Sequence, residues 1–190
     1  MPIRLWRSRQ DRWRSWTLTH IRQGAICAEI GVWKGDFSAQ ILRAEKSIEL
    51  HLIDPWAFDP RFPQRWYGGA IARNQADMDK VHDSVVSRFR KFSNVKIKRL
   101  HSLEAASLYA VGSLDWVYID GDHSASAVEK DIRAWFSKIR PGGVLVGDDY
   151  DWSDESGARS VQAGVESACR ALNVVPERIE GGQYLIRARA

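Results

Sequence analysis

A chain of 190 residues is the size of one domain with a sizeable core, and its 44% hydrophobic and 27% charged residues exclude a disordered polyelectrolyte. No apolar run approaches the roughly 20 residues that span a bilayer, and no apolar core before a small-residue cleavage site marks a secretory leader. The net charge of +4 is unevenly placed: residues 1–22 hold six arginines against one aspartate, a net +5, so residues 23–190 sum to −1.

Residues 1–22 are thus a basic arm, with Trp6, Trp13 and Trp16 among Arg4, Arg7, Arg9, Arg12, Arg14 and Arg22. Three readings stay open: a stacking, charge-driven nucleic-acid contact, an amphipathic helix on an anionic membrane surface, or a helix whose tryptophans pack on the domain and whose arginines face water. The nearly neutral body argues against a duplex footprint, which wants a basic face. An RNA-binding protein, or an RNA-modifying enzyme using the arm, is the alternative function this leaves. The arm could also bury itself against a second copy of the chain.

The run Ala25-Ile26-Cys27-Ala28 predicts a buried strand, and Glu29-Ile30-Gly31-Val32-Trp33-Lys34-Gly35 a tight turn. Phe37, Ile41 and Leu42 fall on one face of the helix that begins near Asp36 and Ser38. Gly31 and Gly35 allow a sharp turn and a ligand against the main chain. The phosphate-cradling G-x-x-x-x-G-K-[ST] and G-x-G-x-x-G patterns are both missing, and Glu29 would repel a pyrophosphate. An ammonium group and ribose hydroxyls suit this turn better, which favours S-adenosylmethionine over NAD and a methyl transfer over a hydride transfer.

Ile48–Asp54 predicts a second strand ending in an acid able to hold ribose hydroxyls. Residues 55–73 combine Pro55, Pro60 and Pro63 with Trp56, Phe58, Phe62, Trp66 and Tyr67, a lid-like insertion that is either a substrate wall or a hydrophobic plug. A helix follows over about residues 74–92, then a strand at Val95–Leu100, a short helix at Ser102–Tyr109 and an apolar strand ending at Asp120. Ser126 and Glu129 predict a capping box for the next helix, and Pro141-Gly142-Gly143 its stop before the strand Val144–Gly147. A last helix carries Val161, Val165, Ala168 and Leu172, and strands near Val174–Ile179 and Gln183–Arg187 close the chain. The alternation predicts an α/β domain over residues 23–190, with a mostly parallel sheet, helices on both faces and an antiparallel strand pair. Cys27 and Cys169 lack metal-type spacing and read as buried thiols of a cytoplasmic protein.

Ligands in such sheets bind at the carboxyl ends of the strands. Here those ends carry Glu29, Asp54, Asp120 and Asp148-Asp149, a costly convergence unless a cation offsets it. Asp120, Asp148 and Asp149 offer the hard oxygens that Mg²⁺ prefers, and a metal-held hydroxyl becomes a nucleophile near neutral pH. His123, one turn from Asp120, titrates in the range to take the proton. The alternative is that the two aspartates cap a loop and His123 caps the following helix.

The order of elements, Glu29-Ile-Gly31-Val-Trp-Lys-Gly35, Asp54 and Asp120 together resemble the class I S-adenosylmethionine-dependent methyltransferases over about residues 24–188. Ile119-Asp-Gly-Asp-His-Ser124 with Pro141-Gly-Gly-Val-Leu-Val-Gly-Asp-Asp-Tyr150 is similar to a small bacterial group related to the macrocin-type and, more distantly, catechol-type O-methyltransferases. The resemblance implies a Rossmann-like seven-stranded sheet with an antiparallel last strand, and O-methylation of a small hydroxylated acceptor such as a sugar or catechol-like ring, with Mg²⁺ assistance. It implies cofactor contacts from Glu29, Gly31, Gly35, Ser38, Asp54, Ser102, Leu103 and Asp120, and metal carboxylates at Asp120, Asp148 and Asp149. Catalysis would fall to Asp120 and His123, the latter where the catechol type has a lysine. The turn departs from the fuller E-x-G-x-G-x-G form in its missing third glycine.

Overall fold

The computed structural model describes residues 9–60, 72–154, 156–178 and 181–189. Strands β1 (Ile26–Ile30), β2 (Glu49–Asp54), β3 (Val95–Arg99), β4 (Leu114–Ile119), β5 (Ile139–Gly147), β6 (Glu177–Arg178) and β7 (Tyr184–Arg187) form one sheet in the order β3-β2-β1-β4-β5-β7-β6. The first five strands run parallel, and β7 is antiparallel to both β5 and β6. Every residue of β4 is buried, as an apolar strand between two parallel neighbours requires.

Helices α1 (Arg9–Leu18), α2 (Asp36–Ala44), α3 (Gln75–Phe89), α4 (Ser102–Ser107), α5 (Ala125–Phe136) and α6 (Ser160–Leu172) complete the domain. One core gathers Phe37, Ile41, Leu50, Leu52, Met78 and Val85. The other gathers Ile119, Ile132, Trp135, Leu145 and Val165, so the sheet is sandwiched. Among the described residues no helix is long and apolar enough to cross a membrane.

Three boundaries differ from the sequence expectation. Ser124, not Ser126, caps α5: its hydroxyl accepts the Ala127 N–H at 3.4 Å, and Glu129 instead engages Arg133 and Ser167. The Pro141-Gly142-Gly143 run does not stop a helix but lies inside β5, where the register jumps from Leu114↔Ile139 to Trp116↔Val144. Gly142 and Gly143 hydrogen-bond to Ala188 there, so the interruption serves the chain terminus. Among the described residues, the strand expected at 174–179 begins only at Glu177, because Asn173 takes a left-handed conformation (φ 52°) and the Val174 N–H turns back to Cys169 O.

The described end of the arm docks on the domain, but through Arg14, Thr17 and Leu18 and not through Trp16, while the side chains of residues 1–13 lie outside the described residues. Trp16 is 38% exposed, while Thr17 and Leu18 are buried. The Trp116 indole N–H donates to Thr17 O at 3.3 Å, and the Thr17 hydroxyl to Arg14 O at 2.6 Å. Arg14 is thereby turned toward the sheet instead of toward water. Trp6, and residues 61–71 of the aromatic insertion with Phe62, Trp66 and Tyr67, lie outside the described residues. Of the insertion's described part, Trp56 is wholly buried.

Candidate active site

The carboxyl ends of β1, β2, β4 and β5 meet at one edge, where the backbone is held in rare conformations. Trp33, Trp56 and Asp149 have φ of 53°, 39° and 59°, a left-handed region that costs a bulky side chain about 1–3 kcal/mol and collects at functional sites. Gly31 (φ 87°) passes so close to the β4 end that a Cβ would stand 1.9 Å from Asp120 O. Its glycine is demanded by this crossing as well as by the turn. Gly35 (φ 73°) caps α2 with no side-chain bond, and a Cβ there would meet the Phe89 ring at 2.7 Å.

Asp54 holds this turn together. One of its oxygens accepts the N–H groups of Val32 (3.0 Å) and Trp33 (2.9 Å), and the other that of Trp56 (2.7 Å). The acid expected to grip ribose therefore lies buried beneath the loop and shapes it. Glu29 is also buried, accepting the Ser38 hydroxyl at 2.5 Å. Burial pushes its carboxyl up to about 8; the Ser38 bond and Arg14 oppose that rise, and Asp120 and Asp54 add to it. Ser38 is buried too, so it orients Glu29 instead of lining an open cleft. Ser102 is likewise occupied, donating to Asp131 (2.6 Å) and accepting from the Trp135 indole (2.9 Å), whereas its neighbour Leu103 stands 47% exposed.

The expected carboxylate trio is split. Asp148 is buried and accepts hydrogen bonds from Arg14 Nε (2.6 Å), Gln183 Nε2 and the Asp149 N–H (2.9 Å). Arg14 also donates to Asp120 Oδ2 at 2.7 Å. The residues that do converge are Asp120, His123 and Asp149, each offering one ligand atom within 4.8 Å of the others. His123 Nε2 lies 3.6 Å from Asp120 Oδ1 and 3.4 Å from Asp149 Oδ2, with the ring edge-on to Trp152 at 5.2 Å. Burial lowers the His123 pKa, but the neighbouring carboxylates of Asp120, Asp149 and Asp148 outweigh it and leave it raised. Burial and the neighbouring Asp148 and Asp120 push Asp149 up to about 6. As an imidazole-containing set it matches Mg²⁺ poorly, since that ion prefers oxygen donors, and the Asp148 of the expected set is already spent on a guanidinium.

Arg14 and Gln183 were not legible as site residues. Arg14 is one of six arginines in its stretch. Gln183 could have been found from strand pairing alone, because the register Gly147↔Tyr184 sets it beside Asp148. It also accepts the buried Tyr118 hydroxyl at 3.3 Å.

The sequence model of a family described as a methyltransferase domain matches residues 28–150. A comparison with curated protein sequences finds no match. Among solved structures, the O-methyltransferase NovP aligns with a TM-score of 0.66 at 16% identity, over 96% of this chain and 80% of its own. The N-methyltransferase NodS from Bradyrhizobium japonicum aligns at 0.61 and 15%, over 96% and 95%. The 1,6-didemethyltoxoflavin-N1-methyltransferase of Burkholderia thailandensis, solved with S-adenosylhomocysteine, aligns at 0.61 and 11%, over 95% and 78%.

Proposed function

Since the chain belongs to the methyltransferase-domain family, as a class I S-adenosylmethionine-dependent enzyme, we propose that it methylates an oxygen of a small hydroxylated acceptor, a sugar or a catechol-like ring. The observation that carries this reading is His123, held between Asp120 and Asp149 at the carboxyl edge of the sheet. A neutral aromatic amine attacks through a lone pair it already has, whereas a hydroxyl must shed a proton as its oxygen takes the methyl. A base beside the acceptor therefore matters most for oxygen.

When bound, S-adenosylmethionine supplies a methyl on a sulfonium sulfur, which departs as a neutral sulfide. The donor chemistry of the edge suits it: the acid Glu29 under the turn favours an ammonium group, and exposed Leu103 offers an apolar contact to the adenine. Asp54 acts in this reading by fixing the turn at Gly31–Trp33 through backbone N–H groups. His123 Nε2 takes the acceptor proton, with Asp120 and Asp149 steadying the resulting imidazolium. Holding the acceptor oxygen in line with the methyl supplies much of the remaining rate.

Two arginines near the N-terminus are spent on carboxylates of the body, Arg14 as above and Arg22 on Asp115 at 3.0 Å, which supports a small-molecule acceptor over nucleic acid. The buried free thiols Cys27 and Cys169 support a reducing, cytoplasmic setting.

The test is an acceptor panel of catechols, glycosides and amines, read as S-adenosylhomocysteine produced. A base must be unprotonated, so with its pKa raised above 6.5 the rate climbs as pH rises through that higher value. His123→Gln is expected to abolish this limb and lower kcat about 10²- to 10⁴-fold. Turnover of amines alone, indifferent to His123→Gln, would overturn the reading.

A further inference from the structure

We propose that Arg14 is the resident cation of this site, a positioning residue that takes the place of a divalent metal. The inference rests on the methyltransferase reading but not on which acceptor is used. Four acids, Glu29, Asp120, Asp148 and Asp149, approach one another at the strand ends, and two of them are buried. Such a cluster needs a positive charge. The structure supplies one from within the chain: the guanidinium joins Asp148 through Nε and Asp120 through a terminal nitrogen, at 2.6 and 2.7 Å.

Everything around Arg14 holds it in that place. Thr17, one turn on, is buried and tied both to Arg14 O and to the Trp116 indole of β4. The guanidinium carbon lies 5.3 Å from the centre of the Phe37 ring, a cation–π distance. Gln183 closes the far side of Asp148. A hydrated divalent ion, which keeps several of its waters, would have to compete with Arg14 for Oδ2 of Asp148 or with Gln183 for Oδ1.

The consequence runs through Asp120, which uses Oδ2 for Arg14 and faces His123 with Oδ1. Arg14 thus fixes the carboxylate that orients the imidazole, and does so with a permanent charge, since guanidinium stays protonated throughout the working pH range. The site is then complete without added metal once α1 is docked.

The full chain would be titrated with Mn²⁺ by calorimetry, as wild type, Arg14→Gln and Arg14→Lys, with S-adenosylhomocysteine binding measured on each. Wild type and Arg14→Lys are expected to bind Mn²⁺ only weakly. Arg14→Gln is expected to bind it about tenfold tighter or more, as exposing charged ligands to a hard cation should, and adding Asp148→Asn should remove the gain. Retained S-adenosylhomocysteine binding shows that the cofactor site survives, so failure of the cofactor reading would appear separately, as loss of that binding in wild type. Micromolar Mn²⁺ binding by wild type overturns the proposal, and so does an Arg14→Gln variant that keeps S-adenosylhomocysteine but gains no Mn²⁺ affinity. If Arg14→Gln does not fold, the wild-type and Arg14→Lys titrations decide: weak binding supports the proposal and tight binding overturns it.

Discussion

Gly31→Ala is expected to cost about 3–5 kcal/mol of stability, combining a left-handed φ on a non-glycine residue with overpacking against rigid backbone. The added methyl would sit 1.9 Å from Asp120 O and 2.5 Å from Asp120 C, neither of which can rotate away as a side-chain end could. Two backbone hydrogen bonds tie the same crossing, Gly31 N to Ile53 O at 2.9 Å and Asp120 N to Ile30 O at 2.8 Å. Relief of the clash must therefore pull β4 from β1 or the turn from β2. Either movement shifts Asp120, so cofactor and acceptor chemistry should fail together with stability. Gly24 provides the control: its φ is 69° but nothing lies within 4 Å of a Cβ there, so Gly24→Ala isolates the conformational cost, about 1 kcal/mol. Urea unfolding of both variants measures the difference. If Gly31→Ala lies within about 1 kcal/mol of Gly24→Ala, the close crossing does not constrain the fold as described.

What the sequence revealed and what it hid divide along a physical line. Strand ends were legible because an apolar run stopped by an acid is a local pattern, and the rule placing ligands at parallel strand ends then gathered Glu29, Asp54, Asp120, Asp148 and Asp149 at one edge. The direction each acid faces is set by tertiary partners and was not legible. Asp54 turns under the loop because Val32, Trp33 and Trp56 present N–H groups to it. Asp148 turns toward Arg14, which is 134 positions away. The need for a cation was readable from the crowding of acids, yet whether it would be an ion or a guanidinium depended on how α1 packs. Thr17 and Leu18 are buried where α1 meets the domain, and neither carries a motif.

Glu29→Gln should make the protein more stable in alkaline solution and a poorer binder of its cofactor. The carboxyl ionises near 4.5 when unfolded and at about 8 when buried in the native state. Below 4.5 both states hold the proton and the residue costs nothing. Between the two values the native state keeps a proton that the unfolded chain has released, so wild-type stability falls as pH rises, by up to about 1.4 kcal/mol per pH unit. Above 8 the native state carries a buried charge, and the deficit levels off at a magnitude on the order of 5 kcal/mol. Glutamine removes this dependence while its amide oxygen can still accept the Ser38 hydroxyl that Glu29 accepts. Thermal unfolding from pH 4 to 9 should then give curves that lie together at the acid end, diverge as pH rises and run level with each other above about 8, with the variant higher. In the proposed reading, the acid is kept for the ligand. An ammonium group brought beside Glu29 offsets the burial that raises its pKa, so binding of S-adenosylhomocysteine near pH 7 should expel a proton and its calorimetric heat should vary with the ionisation heat of the buffer. Glutamine has no proton to lose, so that variation should vanish and the affinity drop. Wild-type curves that stay flat across the range, or a binding heat blind to the buffer, would mean that Glu29 does not hold its proton in the native state and does not meet a cation when the cofactor binds.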